Sequence, residues 1–313
     1  MLCLIQYLGE NFTVKLLPRY TFLVDISVII PVRDRPGMLL RAVRSVLEQT
    51  YQQFELIVVD DGSSVSLEQA RLEVQDHGHR WITQAPQGVS AARNRGVEEC
   101  KFDWIALLDS DDAWKPTKLE EQVRFHVENP DISISQCEEE WYRHGVRVNQ
   151  RAIHKMPSGD AFSKSLKLCC ISPSAVLLKK DLVLRLGGFD EQMAVCEDYD
   201  LWLRITALHP VGLIEQPLVQ KFGGHDDQLS KSQPAIDRFR VYAIAKLLRG
   251  EGLTDAQIAL AKNEVMRKLA VLSRGAKKHA PSDFERYEKI SDALTQGDYL
   301  SGFNHSKGLL GMR

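Results

Sequence analysis

The chain has 313 residues, 44% of them hydrophobic, enough to bury a large core in one domain or two smaller ones. Forty basic residues against forty-two acidic ones leave a net charge of -2, so bulk charge gives no case for nucleic acid as a partner. The six cysteines contain no CxxC pair and are too sparse for a disulfide framework; they read as free thiols in a reducing compartment.

Residues 1–24, MLCLIQYLGENFTVKLLPRYTFLV, read as an N-terminal extension. Their apolar stretches are broken by Glu10, Asn11, Lys15, Pro18 and Arg19, short of the roughly 20 apolar residues that cross a bilayer. No basic leader precedes them, so no signal peptide is expected, and no other stretch could span a membrane. Peripheral membrane contact stays open.

From residue 26, ISVIIPV predicts a strand buried on both faces. Leu39, Ala42, Val43, Val46 and Leu47 then recur at helical spacing, and FELIVV supplies a second buried strand. A second helical run, SLEQARLEVQ, is followed further on by the strand DWIALL. Such alternation implies an α/β fold, a Rossmann-like, mostly parallel sheet flanked by helices, with ligands at the carboxyl ends of its strands. Two of those ends are acidic: VVDDGSS (58–64) and LLDSDDAW (107–114).

The second end sets Asp109, Asp111 and Asp112 against an apolar run. Carboxylates crowded at a half-buried strand end repel one another, and their lost solvation costs several kcal/mol unless a cation or strong donors replace it. A solvated turn leading into a helix near Pro116 is the plainer alternative for this stretch alone. Turn chemistry likewise accounts for DDGSS alone, and first-turn acids of a helix for CEDYD.

Taken together and in order, these segments resemble the metal-dependent GT-A glycosyltransferases of family 2, from about Asp25 to His225. The segments concerned are SVIIPVRDRP, SVLEQTYQQFELIVVDDGSS, GVSAARNRGV, LLDSDDAWKPTKLEEQV, LGGFDE and CEDYDLWLRI. The resemblance implies a GT-A fold and an inverting transfer from a nucleotide diphosphate sugar, taken as a UDP-sugar, to an acceptor hydroxyl. It implies that Pro31 and Arg33 line the base and ribose, that Asp61 with Asp60 beside it accepts from the base, and that Arg93 reaches the nucleotide. Asp109 falls near the ribose, and Asp111 holds Mn²⁺ or Mg²⁺ at the diphosphate. Asp198 is the expected general base with Glu197 as the competing carboxylate, and His225, in FGGHDDQLSKS, is a candidate for the metal or diphosphate. Where the family often has an aromatic residue and Asn after the opening proline, this chain has Val32, Arg33 and Asp34.

Beyond about residue 230, long helical patterns replace the alternation, so residues 25–230 read as the GT-A domain and 231–313 as a helical C-terminal region. A basic end at Lys277, Lys278 and His279 reads as a solvated helix end, with a membrane surface as the alternative. The resemblance places such an enzyme in surface polysaccharide or glycoconjugate assembly, in the cytoplasm or at the inner face of the membrane, with homo-oligomers open. Two other functions remain: a nucleotidyltransferase, disfavoured because IIPVRDRPG has only Gly37 where a glycine-rich phosphate loop belongs, and an inactive sugar-nucleotide-binding protein.

Overall fold

The structure is a computed structural model that describes residues 24–225, 233 and 235–311. Most of the N-terminal extension and the last part of FGGHDDQLSKS, residues 226–232, lie outside the described residues.

Strand β1 (Ile26–Val32) is buried along its whole length. Helix α1 (Pro36–Leu47) begins with proline, whose fixed φ suits a first helical turn, and buries Leu39, Ala42, Val43 and Val46 as their spacing predicts. Strand β2 (Phe54–Asp60), helix α2 (Glu68–Asp76), strand β3 (Arg80–Thr83), helix α3 (Val89–Glu99) and strand β4 (Trp104–Leu107) complete a parallel half-sheet in the order β3-β2-β1-β4. Helix α3 lies close on β1 because residue 96 is glycine; a Cβ there would meet Ile29 Cγ2 at 2.4 Å.

After β4 the simple alternation stops. The chain continues through β5 (Ala113–Trp114), α4 (Lys118–Glu128), β6 (Ile134–Arg143), β7 (Val146–Val148), α5 (Phe162–Lys167), β8 (Val176–Lys179), α6 (Lys180–Arg185), α7 (Glu197–Thr206) and β9 (Gly212–Gly223). Strand β8 runs antiparallel to both β4 and β6, and β9 runs parallel to β6 and antiparallel to β5, giving β3-β2-β1-β4-β8-β6-β9-β5 with β7 beside β6. The α/β architecture expected from the sequence is present. Its parallel part is the N-terminal half, and the second half is mixed.

The C-terminal region is helical as expected: α8 (Asp237–Arg249), α9 (Asp255–His279), α10 (Pro281–Thr295) and α11 (Tyr299–Lys307). Thr254 and Gln257 close a reciprocal capping box at the start of α9, satisfying donors that the first turn leaves open. These helices share one apolar cluster with Phe162 and Leu166 of α5 and with Tyr199 and Leu203 of α7. Helix α7 is therefore packed from behind by the C-terminal helices. Among the described residues no helix is long and apolar enough to cross a membrane, and all five described cysteines are free thiols.

Candidate active site

The carboxyl ends of β1 and β4, the end of β9 and the start of α7 open onto a cavity of about 460 Å³. Three carboxylates stand on one wall: ligand oxygens of Asp109, Asp111 and Asp112 lie within 4.8 Å of one another. The chain supplies cations and donors around them, as the charge argument requires.

Asp112 is buried and held by its neighbours, accepting from Ser174 Oγ at 2.6 Å and from the Phe222 amide at 3.1 Å. Burial, with Asp111 and Asp109 adding to it, pushes its carboxyl well above the usual range against the opposing Lys221. Asp109 differs. Burial opposes its ionisation, but Arg93, Lys221 and Arg35 outweigh that and hold its carboxyl below the usual range. Asp111 is half-buried, with Arg35 Nη1 and His225 Nε2 each 3.0 Å from its Oδ2 atom. Lys221, from β9, donates to Ser172 Oγ at 2.7 Å. Burial works against its charge, and Glu139, Asp112, Asp109 and Asp111 more than restore it.

The opposite wall carries the first turn of α7. Cys196, in the left-handed region at φ 62°, turns the chain into that helix. Glu197 is buried and its Oε1 accepts from Arg93 Nη1, while Arg93 Nη2 donates to Asp109 at 2.7 Å. One buried guanidinium thus bridges the strand-end acids and the helix-start acids. Burial raises the Glu197 carboxyl to about 7; Arg93 opposes the rise and Asp198 adds to it. Asp198 is half-buried and lines the cavity, its Oδ1 accepting from the Tyr199 amide at 2.7 Å and its Oδ2 from the Cys169 thiol at 3.3 Å.

The profile of glycosyl transferase family 2 matches residues 27–185, which include β1 to β4, the acid cluster and β8. The chain belongs to that family. WfgD of Escherichia coli, a UDP-Glc:α-D-GlcNAc-diphosphoundecaprenol β-1,3-glucosyltransferase, is 33% identical over 183 residues, 58% of this chain and 69% of WfgD. An uncharacterized glycosyltransferase of Rickettsia felis is 31% identical over 195 residues, 62% of this chain. The match takes up only 32% of that protein's own length. Among solved structures, residues 1–349 of TarS from S. aureus with UDP-GlcNAc superpose with a TM-score of 0.69 at 14% identity, covering 91% of each chain. The mannosyltransferase PcManGT from Pyrobaculum calidifontis with GDP-Man and Mn²⁺ gives 0.55 at 16% identity, over 91% of this chain and 85% of that one. At such identities the likeness is one of fold.

In this family 2 glycosyltransferase the cavity brings together Pro31, Arg93, Asp109, Asp111, Glu197 and Asp198, with His225 against Asp111. Arg33 is placed elsewhere: its side chain is exposed and lies 3.7 Å from Asp34. The cause is Asp34, whose backbone stands at φ 56° and whose Oδ1 accepts from the amides of Ser64 and Val65 beyond β2; this turns Arg35 into the cavity instead. Asp60 and Asp61 close β2 without lining the cavity. Asp60 accepts from the Ser63 amide at 2.9 Å, and buried Asp61 accepts from Gln84 Nε2 and from the amides of Gln87 and Gly88, each at 2.8 Å. Asp61 thereby shapes the loop before α3, and three donors leave a carboxylate room for one more.

Arg35, Lys221 and Cys169 also line the cavity, and no sequence motif marks them. For Arg35 the RDR triplet held the signal, but choosing between its arginines requires the turn at Asp34. Nothing near Lys221 or Cys169 in the chain marks them, because their partners lie far away in sequence.

Proposed function

We propose that this glycosyltransferase moves a sugar, with inversion, from a nucleoside diphosphate sugar, taken as a UDP-sugar, to an acceptor hydroxyl in polysaccharide or glycoconjugate assembly. The observation that carries the reading is the presence of two acid sites on one cavity, Asp109 with Asp111 at a strand end and Glu197 with Asp198 at a helix start, joined through Arg93. In-line displacement needs this division, since the base must stand on the acceptor face and the charge-neutralising group on the leaving-group face.

On the leaving-group side the donor set is all carboxylate oxygen with an imidazole beside it, which suits Mn²⁺ or Mg²⁺. Asp111 would hold the ion with Asp109 next to it, and His225 stands close enough to join. A bound divalent ion neutralises negative charge on a departing diphosphate. Lys221, Arg35 and Arg93 surround the same acids and keep the site from repelling that diphosphate. On the acceptor side Asp198 is the base: both acids line the cavity, but Glu197 is buried and committed to Arg93, whereas Asp198 is half-buried and makes no ion pair among the described residues. The reaction of WfgD and the nucleotide sugars bound to TarS and PcManGT support a nucleotide-sugar donor, and WfgD supports a lipid-linked glycan acceptor. A lipid-linked acceptor supports a peripheral position at the cytoplasmic face of a membrane.

The test is nucleotide release with Mn²⁺ from UDP-glucose and UDP-GlcNAc. Free UDP supports the reading. Pyrophosphate from UTP and glucose 1-phosphate would support a nucleotidyltransferase instead, and metal-dependent binding of both sugars with no release would indicate a binding protein.

A further inference from the structure

The first turn of α7 carries three acids, Glu197, Asp198 and Asp200. Two of them are bound to cations: Glu197 to Arg93, and Asp200 to Arg204 and Lys246 at 2.5 and 3.0 Å. Among the described residues, Asp198 has no cationic side chain within 4.0 Å of its carboxylate. The side chain that reaches it from another segment is Cys169, whose Sγ lies 3.3 Å from Oδ2. Cys169 follows α5 in KLCCIS, where successive residues point opposite ways: Cys170 is buried against Ser165, and half-buried Cys169 faces the cavity. The other acceptor near its sulfur, the Ile171 carbonyl, is neutral and more distant at 3.6 Å.

The geometry points to Cys169 as a positioning residue, a thiol that donates to Oδ2 of Asp198 and aims that carboxylate at the acceptor hydroxyl. This rests on the reading of Asp198 as the base. With Oδ1 held by the Tyr199 amide and Oδ2 by the thiol, rotation of the side chain is restricted before the acceptor arrives. A cation in the same place would fix the carboxylate more firmly but stabilise its charged form and weaken it as a base. A thiol is a weak donor, so it orients with less loss of basicity. Burial, and then the negative charge of Asp198, push the Cys169 thiol well above its usual range, which keeps the proton available for donation.

The experiment compares UDP release from UDP-glucose and UDP-GlcNAc with Mn²⁺, water standing in for the acceptor, in the wild type, Cys169→Ala, Cys169→Ser and Asp198→Asn. It adds an infrared measurement of the S–H stretch assigned to Cys169 by its loss in Cys169→Ala. The inference expects kcat to fall about tenfold in Cys169→Ala with donor KM unchanged, the loss of one charge-assisted hydrogen bond, and most of it to return in Cys169→Ser. It expects Cys169→Ala to add nothing in an Asp198→Asn background, and the S–H band to rise in frequency in Asp198→Asn. Wild-type kcat in Cys169→Ala, no rescue by serine, or an S–H band that ignores Asp198 would overturn it while leaving Asp198 as the base. Wild-type kcat in Asp198→Asn would overturn the base assignment and this inference with it.

Discussion

The two halves of the cavity are built in opposite ways. The acids of the half proposed for the leaving group are local: Asp109, Asp111 and Asp112 fall within four consecutive residues just after one strand of a parallel β-α-β series. The half proposed for the acceptor is assembled from afar, with Arg93 bonded to a carboxylate 104 positions away and, behind the cavity wall, Asp190 held by Lys246 and Tyr242 of α8, more than 50 positions on. Local assembly makes the first half depend on charge placement, whereas the second depends on packing. Substitutions should therefore separate the two halves, the first failing in ligand binding and the second in turnover or stability.

Asp111→Asn should produce the largest effect, a loss of UDP release of about 10⁴-fold, because the metal it would hold contributes several kcal/mol to leaving-group stabilisation. Its melting temperature should stay near wild type, since removing one of three crowded acids relieves repulsion. Asp198→Asn should cost about 10³-fold in kcat, the range expected of general-base catalysis, with donor affinity retained. Full activity in excess EDTA would erase the proposed difference between the halves.

Lys246→Met strikes the acceptor half through its packing. It removes the cation shared by Asp190 and buried Asp200, and calorimetry should show a loss of about 3 kcal/mol, as for breaking a buried pair. Donor binding should survive. Asp61→Ala should act more mildly, through the loop before α3 that its carboxylate holds: donor KM should rise about tenfold with kcat little changed, because a loop that contributes alike in ground and transition states alters binding alone. A large kcat loss at constant KM would move Asp61 to the reacting centre.

The smallest effect at neutral pH concerns His126 of α4. Burial lowers its imidazole to about 4, and its ring lies against Trp104 with bonds to Ser135 and Ile132. The unfolded chain takes up a proton near pH 6.5 that the folded chain refuses until about 4, so stability should fall as pH drops through that interval. His126→Gln should flatten that part of the curve; an unchanged slope would assign it to other groups.

The same contrast explains what could be read from the sequence. Buried strands and the helical period of α1 declare themselves within a dozen residues, and so does an acid cluster at a strand end. The order β8-β6-β9 does not, because neighbours in that half of the sheet are not consecutive in the chain and both directions occur. Only likeness to a family pattern points to Asp198 and Glu197, since first-turn acids are commonplace. Both line the cavity, and which of them is left without a cation depends on Arg93 of α3, far back in the chain. A left-handed aspartate between two arginines leaves little trace in sequence, so the chain alone does not show that Arg35 turns into the cavity, and Lys221 stands among the acids only because β9 ends beside them.

The most direct test of two separate acid sites is calorimetric titration of UDP-GlcNAc and UDP-glucose in Mn²⁺ into the wild type, Asp111→Asn and Asp198→Asn. The account predicts that Asp198→Asn binds whichever donor the wild type binds with wild-type affinity, whereas Asp111→Asn loses binding as the wild type does in EDTA. Equal loss of donor affinity in both variants, or full affinity in Asp111→Asn, would contradict it.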